Sequence, residues 1–274
     1  MKRVRTNNPS CKSFVLKGFT LIELLIVIAI IGILASMLLP VLASTKKLAK
    51  ATICTNNMKQ IGLWIGMYTD DYKEYFPPAV YSPDGVWYNI MTYDNYLSDY
   101  DGRNIPIATC ASYTKKKGCE DIYRCPEDQV LGWSNNMRRS YGMNRGGTDY
   151  DSASKTSMPR GITNNVGYWT GVKEQIRRLS QVPDPSGTFS LVEVLVLDPL
   201  GQNVLAGGQN GNYSYIDTPV FQNNNMSSGS LAWHNKKWNY LFVDGHVTLI
   251  RPEDTVGTGS LSSPKGMWTC QQGD

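Results

Sequence analysis

Residues 19–43 read FTLIELLIVIAIIGILASMLLPVLA, and this run decides the fold. It holds a single charged residue, Glu23. At about 1.5 Å per residue a helix over it spans roughly 37 Å, enough for a hydrocarbon core of about 30 Å. The run therefore predicts a membrane helix over residues 19–43.

The residues before it refine that reading. Residues 1–18 carry Lys2, Arg3, Arg5, Lys12 and Lys17 and no acidic residue. Positive charge of this kind stays on the cytoplasmic side, so the leader faces the cytoplasm and the C-terminal body is sent outward. A secretory signal has its small-residue cleavage positions after the apolar run. Here the small residue, Gly18, stands before it.

The junction Lys17-Gly18-Phe19-Thr20-Leu21-Ile22-Glu23 resembles the processing site of type IV prepilins and type II secretion pseudopilins. The resemblance implies that a prepilin peptidase cuts between Gly18 and Phe19 and methylates the new amino group of Phe19. The apolar helix stays uncut, first as anchor and then as filament core. Glu23 then becomes the fifth residue of the mature chain. A carboxylate in hydrocarbon costs about 2.5 kcal/mol or more, so it should face a partner. The amine released at Phe19, about one helical turn away, can be that partner in the same or a neighbouring subunit. In the family this pairing is thought to register subunits during assembly. The plainer alternative is a carboxylate near the interface of a simple anchor.

The formal charge of +4 belongs to the leader. Taking its five basic groups from 27 Lys plus Arg leaves 22 against 23 Asp plus Glu, or −1 for the remainder. That balance points away from nucleic acid as a partner. Lys115, Lys116 and Lys117 read as a solvated loop. With 16 Tyr, 7 Trp, 25 Gly and 14 Pro, the residues beyond the apolar run suit a loop-rich extracytoplasmic domain containing sheet. Cys11 leaves with the leader, and Cys54, Cys110, Cys119, Cys125 and Cys270 remain. An oxidising compartment should pair some of them, yet the number is odd and connectivity does not follow from sequence. Proximity alone nominates Cys110 with Cys119, and with no C-x-x-C in the chain a zinc site is not expected.

The helix should continue past the membrane. Leu48, Ala51, Cys54, Met58, Ile61, Ile65 and Tyr68 recur at spacings of three and four, forming one apolar stripe, with Lys46, Lys47, Lys50, Asn57 and Lys59 on other faces. Pro40 has no N–H and should bend the helix near the outer face of the membrane. Pro77 and Pro78 cannot continue it. The amphipathic continuation is therefore placed at residues 44–76 and the extracytoplasmic head at 77–274. Within the head, residues 86–100 suit a short helix. Residues 188–197, TFSLVEVLVL, suit a central strand, and the Asn- and Gly-rich residues 201–229 suit a long loop. Residues 231–250, LAWHNKKWNYLFVDGHVTLI, predict a three-stranded antiparallel meander turning at Asp244-Gly245, where both positions tolerate positive φ.

Residues 56–78, Tyr123-Arg124-Cys125-Pro126 and Ser140-Tyr141-Gly142-Met143-Asn144 resemble landmarks of a pseudopilin-like group abundant in planctomycete- and lentisphaere-type bacteria. His234, followed nine residues later by Asp244 and Gly245, matches the prepilin-associated H-X9-DG pattern. The fold class this implies is α+β and pilin-like, with a long N-terminal helix packed on an antiparallel sheet.

Catalytic patterns are missing: there is no G-x-S-x-G, H-E-x-x-H or G-x-x-x-x-G-K-[ST]. The expectation is a structural protein and not an enzyme. His234, Asp244 and His246 are the metal-ligand types on one hairpin, but a turn aspartate with hydrogen-bonded or solvated histidines explains them better, so no metal is expected there. A structural calcium ion is compatible with the family; Asp70, Asp71, Glu74 and Asp198 are oxygen donors near loops, but no D-x-D-x-D-G run places it. Tyr72, Tyr75, Tyr213, Tyr215 and Trp238 offer faces for a sugar, although aromatics are more often core or interface residues.

The resemblance implies a pilin or pseudopilin subunit whose partners are the prepilin peptidase, other pilin-like subunits and an inner-membrane assembly platform driven by a cytoplasmic ATPase. It would sit single-pass in the inner membrane with its head in the periplasm, and after assembly in a periplasmic or extracellular filament. The competing reading is a membrane-anchored extracytoplasmic binding protein, glycan-binding for example, or an enzyme that uses the leader only for sorting.

Overall fold

The structure, a computed structural model, describes residues 20–81, 91–105, 122–127, 139–146, 148–151, 156–166, 173–193, 215–216, 234, 237–260 and 263–270. By its internal packing the chain divides into Met1–Lys46 and Lys47–Asp274. One helix, α1 (Leu21–Asp71), runs through the division.

In the first unit α1 has no buried side chain. Leu21 is 82% exposed, and Leu24, Ile28, Ile31, Leu34 and Leu38 are all open. An apolar surface of this extent is not left to water by a folded chain and marks a membrane or a partner. The helix is continuous through Pro40, whose missing N–H leaves the Ser36 carbonyl without its usual donor. The Ser36 hydroxyl donates to the Ile33 carbonyl at 2.7 Å, and those of Ser44 and Thr45 to the Val41 carbonyl at 2.8 and 2.9 Å.

In the second unit the stripe works as a packing face from Cys54 onward. Cys54, Met58, Ile61, Ile65 and Tyr68 are buried in one cluster with the strands below, while Leu48 stays exposed. Asn57, assigned to an outer face, is buried too, because it sits between the inward positions Cys54 and Ile61; its amide donates to the Arg124 carbonyl at 3.5 Å. The helix ends at Asp71, short of the proline pair. Lys73 and Glu74 take left-handed φ of 54° and 67°, and the Glu74 N–H closes onto the Thr69 carbonyl at 2.8 Å, a wide C-terminal turn that satisfies a last-turn acceptor.

The head contains β1 (Val80–Tyr81), β2 (Met91–Thr92), α2 (Tyr93–Tyr96), β3 (Tyr141–Asn144), β4 (Thr148–Asp151), β5 (Thr156–Pro159), β6 (Asn165–Val166), β7 (Lys173–Glu174), β8 (Phe189–Glu193), β9 (Tyr215–Ile216), β10 (Trp238–Phe242) and β11 (Val247–Ile250). The largest sheet has the order β11-β10-β8-β3-β9, antiparallel except for the β3/β9 pair. Two small sheets, β2-β1-β6 and β4-β5-β7, complete it. The architecture is α+β: a long N-terminal helix with antiparallel sheet, as in pilins.

Residues 188–197 do supply the central strand, β8, over their described part. The meander is corrected: β10 and β11 form the hairpin, but the other neighbour of β10 is β8, far away in sequence. His234 lies in a 3₁₀ turn with a left-handed φ of 44° and so does not extend a strand. The turn also differs. Only Gly245 has positive φ, at 91°, and its N–H donates to the Phe242 carbonyl at 3.0 Å. This wider turn leaves Asp244 free to hold His246. The short helix is shorter than expected, because Thr92 stays extended and its N–H is taken by Asn95 Oδ1 at 2.8 Å, so α2 starts only at Tyr93. Residues 201–229 are not loop throughout, since Tyr215 and Ile216 form β9.

β8 slips by one residue between its pairs Leu191–Leu241 and Phe189–Phe242, and the Ser190 hydroxyl at that bulge donates to the Leu241 carbonyl at 3.1 Å. Leu241 packs on α1 at Gly62. Phe189 meets both Tyr240 and Trp268 edge-on, and the Trp268 indole N–H donates to Thr255 Oγ1 at 2.8 Å. The C-terminal residues are thereby tied into the core.

Candidate functional site

Two places carry the residues singled out by sequence. The first is the start of α1. Thr20 is its N-cap and Glu23 its third residue, spaced as a capping box. Glu23 Oε2 accepts from the Thr20 N–H at 2.9 Å and from the Thr20 hydroxyl at 2.8 Å, while the Glu23 N–H donates back to Thr20 Oγ1 at 3.3 Å. The one carboxylate of the apolar run is thus satisfied locally, at the positive end of the helix dipole. Its oxygen points at the backbone nitrogen one residue beyond Phe19. Gly18 and Phe19 lie outside the described residues. The T-x-x-E spacing was there to be read in the sequence.

The second place is the H-X9-DG segment, whose members the structure separates. Asp244 and His246 are exposed on the hairpin turn, with Asp244 Oδ1 accepting from the His246 N–H at 3.1 Å and lying 2.6 Å from His246 Nδ1. Gly245 supplies the left-handed turn residue. His234 instead lies inside the head, its side chain 1% exposed. Its Nε2 is 3.0 Å from Glu193 Oε1 and 3.4 Å from Cys125 Sγ. Glu193 ends β8, and its other oxygen accepts from the Asn239 N–H at 2.7 Å, so β8, β10 and the 3₁₀ turn at His234 are joined by one carboxylate.

Cys125 is bonded to Cys54 of α1, with the two Cα atoms 5.3 Å apart, a usual disulfide span. Cys54 sits on the inward stripe of α1, so its partner comes from the core. Cys110, Cys119 and the lysines 115–117 lie outside the described residues. Cys270 is a buried thiol, and burial pushes its pKa up to about 11, despite the Arg177 charge.

A buried ionic network lies beside this cluster. Asp94 is fully buried; Arg139 grips both its oxygens, one through Nη2 at 2.9 Å, and Arg103 approaches at 3.4 Å. Arg103 also pairs with Asp101 at 2.7 Å, which accepts from the Tyr123 hydroxyl at 2.7 Å. Burial alone would push the Asp94 carboxyl up; the two guanidiniums outweigh it and hold it at about 2. Two carboxylates against two guanidiniums make a neutral structural knot with no open face.

The other candidates are occupied or elsewhere. Asp71 accepts from the Tyr100 hydroxyl at 2.7 Å and Glu74 from Ser180 at 2.5 Å, while Asp198 is outside the described residues. Of the aromatic faces, Trp238 is fully buried, Tyr75 is covered by the Arg178 guanidinium at 4.7 Å, and Tyr72 stacks on Tyr68 at 4.2 Å. Tyr213 is outside the described residues.

Residues 17–39 match the family described as the prokaryotic N-terminal methylation motif. The N-terminal segment is prepilin-like. The chain is 49% identical over 59 residues to the type IV wide pilus major component PilA4 of Thermus thermophilus, covering 22% of this chain and 45% of that one. It is 40% identical over 58 residues to the type II secretion system core protein G of Pseudomonas aeruginosa, covering 21% and 41% respectively. The chain thus spans less than half the length of these curated relatives. No solved structure matches it. The matched methylation motif lies at the start of α1.

Proposed function

We propose that the chain is a structural subunit of a type II secretion or type IV pilus-like system. A prepilin peptidase cuts between Gly18 and Phe19 and methylates Phe19. Residues 19–43 then anchor the chain in the inner membrane with the head on the periplasmic side. An assembly platform draws the helix from the bilayer into a fibre core, where Glu23 exchanges its Thr20 contacts for the Phe19 amine of a neighbouring subunit.

The observation that carries this reading is the wholly exposed apolar surface of α1 from Leu21 to Leu39, in the segment that matches the methylation motif. A solvent-exposed surface of that kind needs lipid or other helices around it. Both relatives are named as pilus or secretion-system components, which supports the same role.

The test is N-terminal mass spectrometry of the protein from native membranes. The expected result is a mature chain beginning at N-methylated Phe19. An intact leader, or cleavage after Ala43, overturns the reading and reduces the protein to an anchored or secreted head. Glu23→Ala should still be cut and inserted but should vanish from the sheared-surface fraction.

A further inference from the structure

We propose that Cys54, Cys125, His234 and Glu193 form, once the disulfide is opened, a closed four-coordinate zinc site in the head. This inference is independent of the fibre reading.

The four residues come from separate segments, α1, the turn at residues 122–127, β8 and the 3₁₀ turn at His234, and each offers one ligand atom. All four atoms lie within 4.8 Å of one another. Zinc bonds of about 2.0–2.3 Å place neighbouring tetrahedral ligand atoms roughly 3.3–3.8 Å apart. The separations of His234 Nε2 from Cys125 Sγ, 3.4 Å, and from Glu193 Oε1, 3.0 Å, already approach that scale. Cys54, Cys125 and Glu193 are 0% exposed, so the site is closed in the manner of structural zinc. Two thiolates, one imidazole and one carboxylate are a borderline-soft set that suits zinc and not magnesium or calcium. Glu193 Oε2 is held by the Asn239 N–H, which aims Oε1 at the cluster as an outer-shell contact does at a metal.

A disulfide by itself needs neither an imidazole nor a carboxylate beside its sulfurs. Burying that pair carries a desolvation cost, and His234 accepts a left-handed backbone as well. A second use of the same atoms explains why they converge there.

The conversion balances. A dithiol reductant passes two electrons and two protons to the Cys54 and Cys125 sulfurs and is itself left as a disulfide. Zinc then binds the two thiols as thiolates, and two protons leave to solvent. The head is thus stapled at one point by either of two bonds, covalent when oxidised and coordinate when reduced.

The test uses the full chain in detergent with Cys11, Cys110, Cys119 and Cys270 replaced by alanine, so that only this pair can respond. After reduction by a phosphine and desalting without oxygen, one equivalent of Co²⁺ should produce thiolate-to-cobalt charge transfer and intense four-coordinate visible bands. Zinc should then bleach them. The oxidised protein should show neither. His234→Ala and Glu193→Gln should shift the visible bands and weaken cobalt binding by about 10-fold or more. Circular dichroism separates loss of fold from loss of site. A reduced, folded chain with no cobalt bands overturns the proposal, and so does a reduced, unfolded chain that cobalt does not refold. Unchanged bands in folded His234→Ala also overturn it.

Discussion

The two stretches of α1 are one helix with opposite solutions to the same two problems, where apolar side chains go and how a carboxylate is satisfied. Before Lys47 every large apolar side chain is exposed, and the one acid, Glu23, is held by Thr20 three residues away. Beyond it, Met58 and Ile61 are fully buried, and two fully buried acids of that unit are held from far along the chain, Asp94 by Arg139 and Glu193 by His234. The first stretch is complete in its local contacts and waits for an apolar environment. The second has no meaning without the sheet beneath it. A helix can thus serve two environments when its composition changes along its length and its backbone does not.

Removing an acid should expose this contrast most sharply. Asp94→Ala leaves two buried guanidiniums facing one carboxylate, Asp101, with Arg139 losing its partner, and should destabilise the head by about 3–5 kcal/mol, read by denaturant unfolding of the full chain in detergent. Glu23→Ala removes only a local cap and should leave that transition within about 0.5 kcal/mol of wild type. Equal losses in both variants would erase the distinction. Truncating a matched pair of isoleucines comes next. Ile61→Ala opens a cavity between α1 and the sheet and should cost about 2–4 kcal/mol, whereas Ile31→Ala, 58% exposed in the other stretch, should leave head unfolding unchanged.

Acid should separate the two stretches more gently. The Asp94 carboxyl titrates at about 2 in the folded head against an ordinary value near 3.8. Its folded value is depressed, so its contribution is complete above about pH 4 and is lost as pH falls from there toward 2. That is about 2 kcal/mol of stability, which thermal melts of wild type should lose over this window and Asp94→Asn should not. The smallest effect concerns two helical glycines with open space where a Cβ would go, Gly32 and Gly66. Gly66→Ala should raise head stability by about 0.5–1 kcal/mol through helix propensity. Gly32→Ala should not move that transition.

The same contrast decides how much could be read from the chain alone. Local features were legible. The apolar run, the three-and-four stripe, the glycine at the turn and β8 each follow from patterns within a few residues. Long-range partners were not. β10 pairs with β8, more than forty residues earlier in the chain, so a hairpin preference extended back to His234 named the wrong neighbour for β10. Asp94 and Arg139 stand 45 residues apart with no periodicity linking them. Cys54 offered a partial signal, since a cysteine on an inward stripe needs a core partner, but nothing local names Cys125. His234 and Asp244 share a sequence pattern and no contact, because the turn takes one and the core takes the other. A pattern in sequence can mark two separate structural duties.

The Cys54–Cys125 bond closes a ring of chain with a sequence separation of 71 residues, which includes the packing face of α1, β1, β2 and α2. A protease that nicks any peptide bond between those cysteines leaves two fragments still joined through sulfur. The nicked protein runs as one band on a non-reducing gel and as two after reduction. The N-terminal stretch of α1 would thus stay joined to the rest of the chain after a cut that would otherwise sever it.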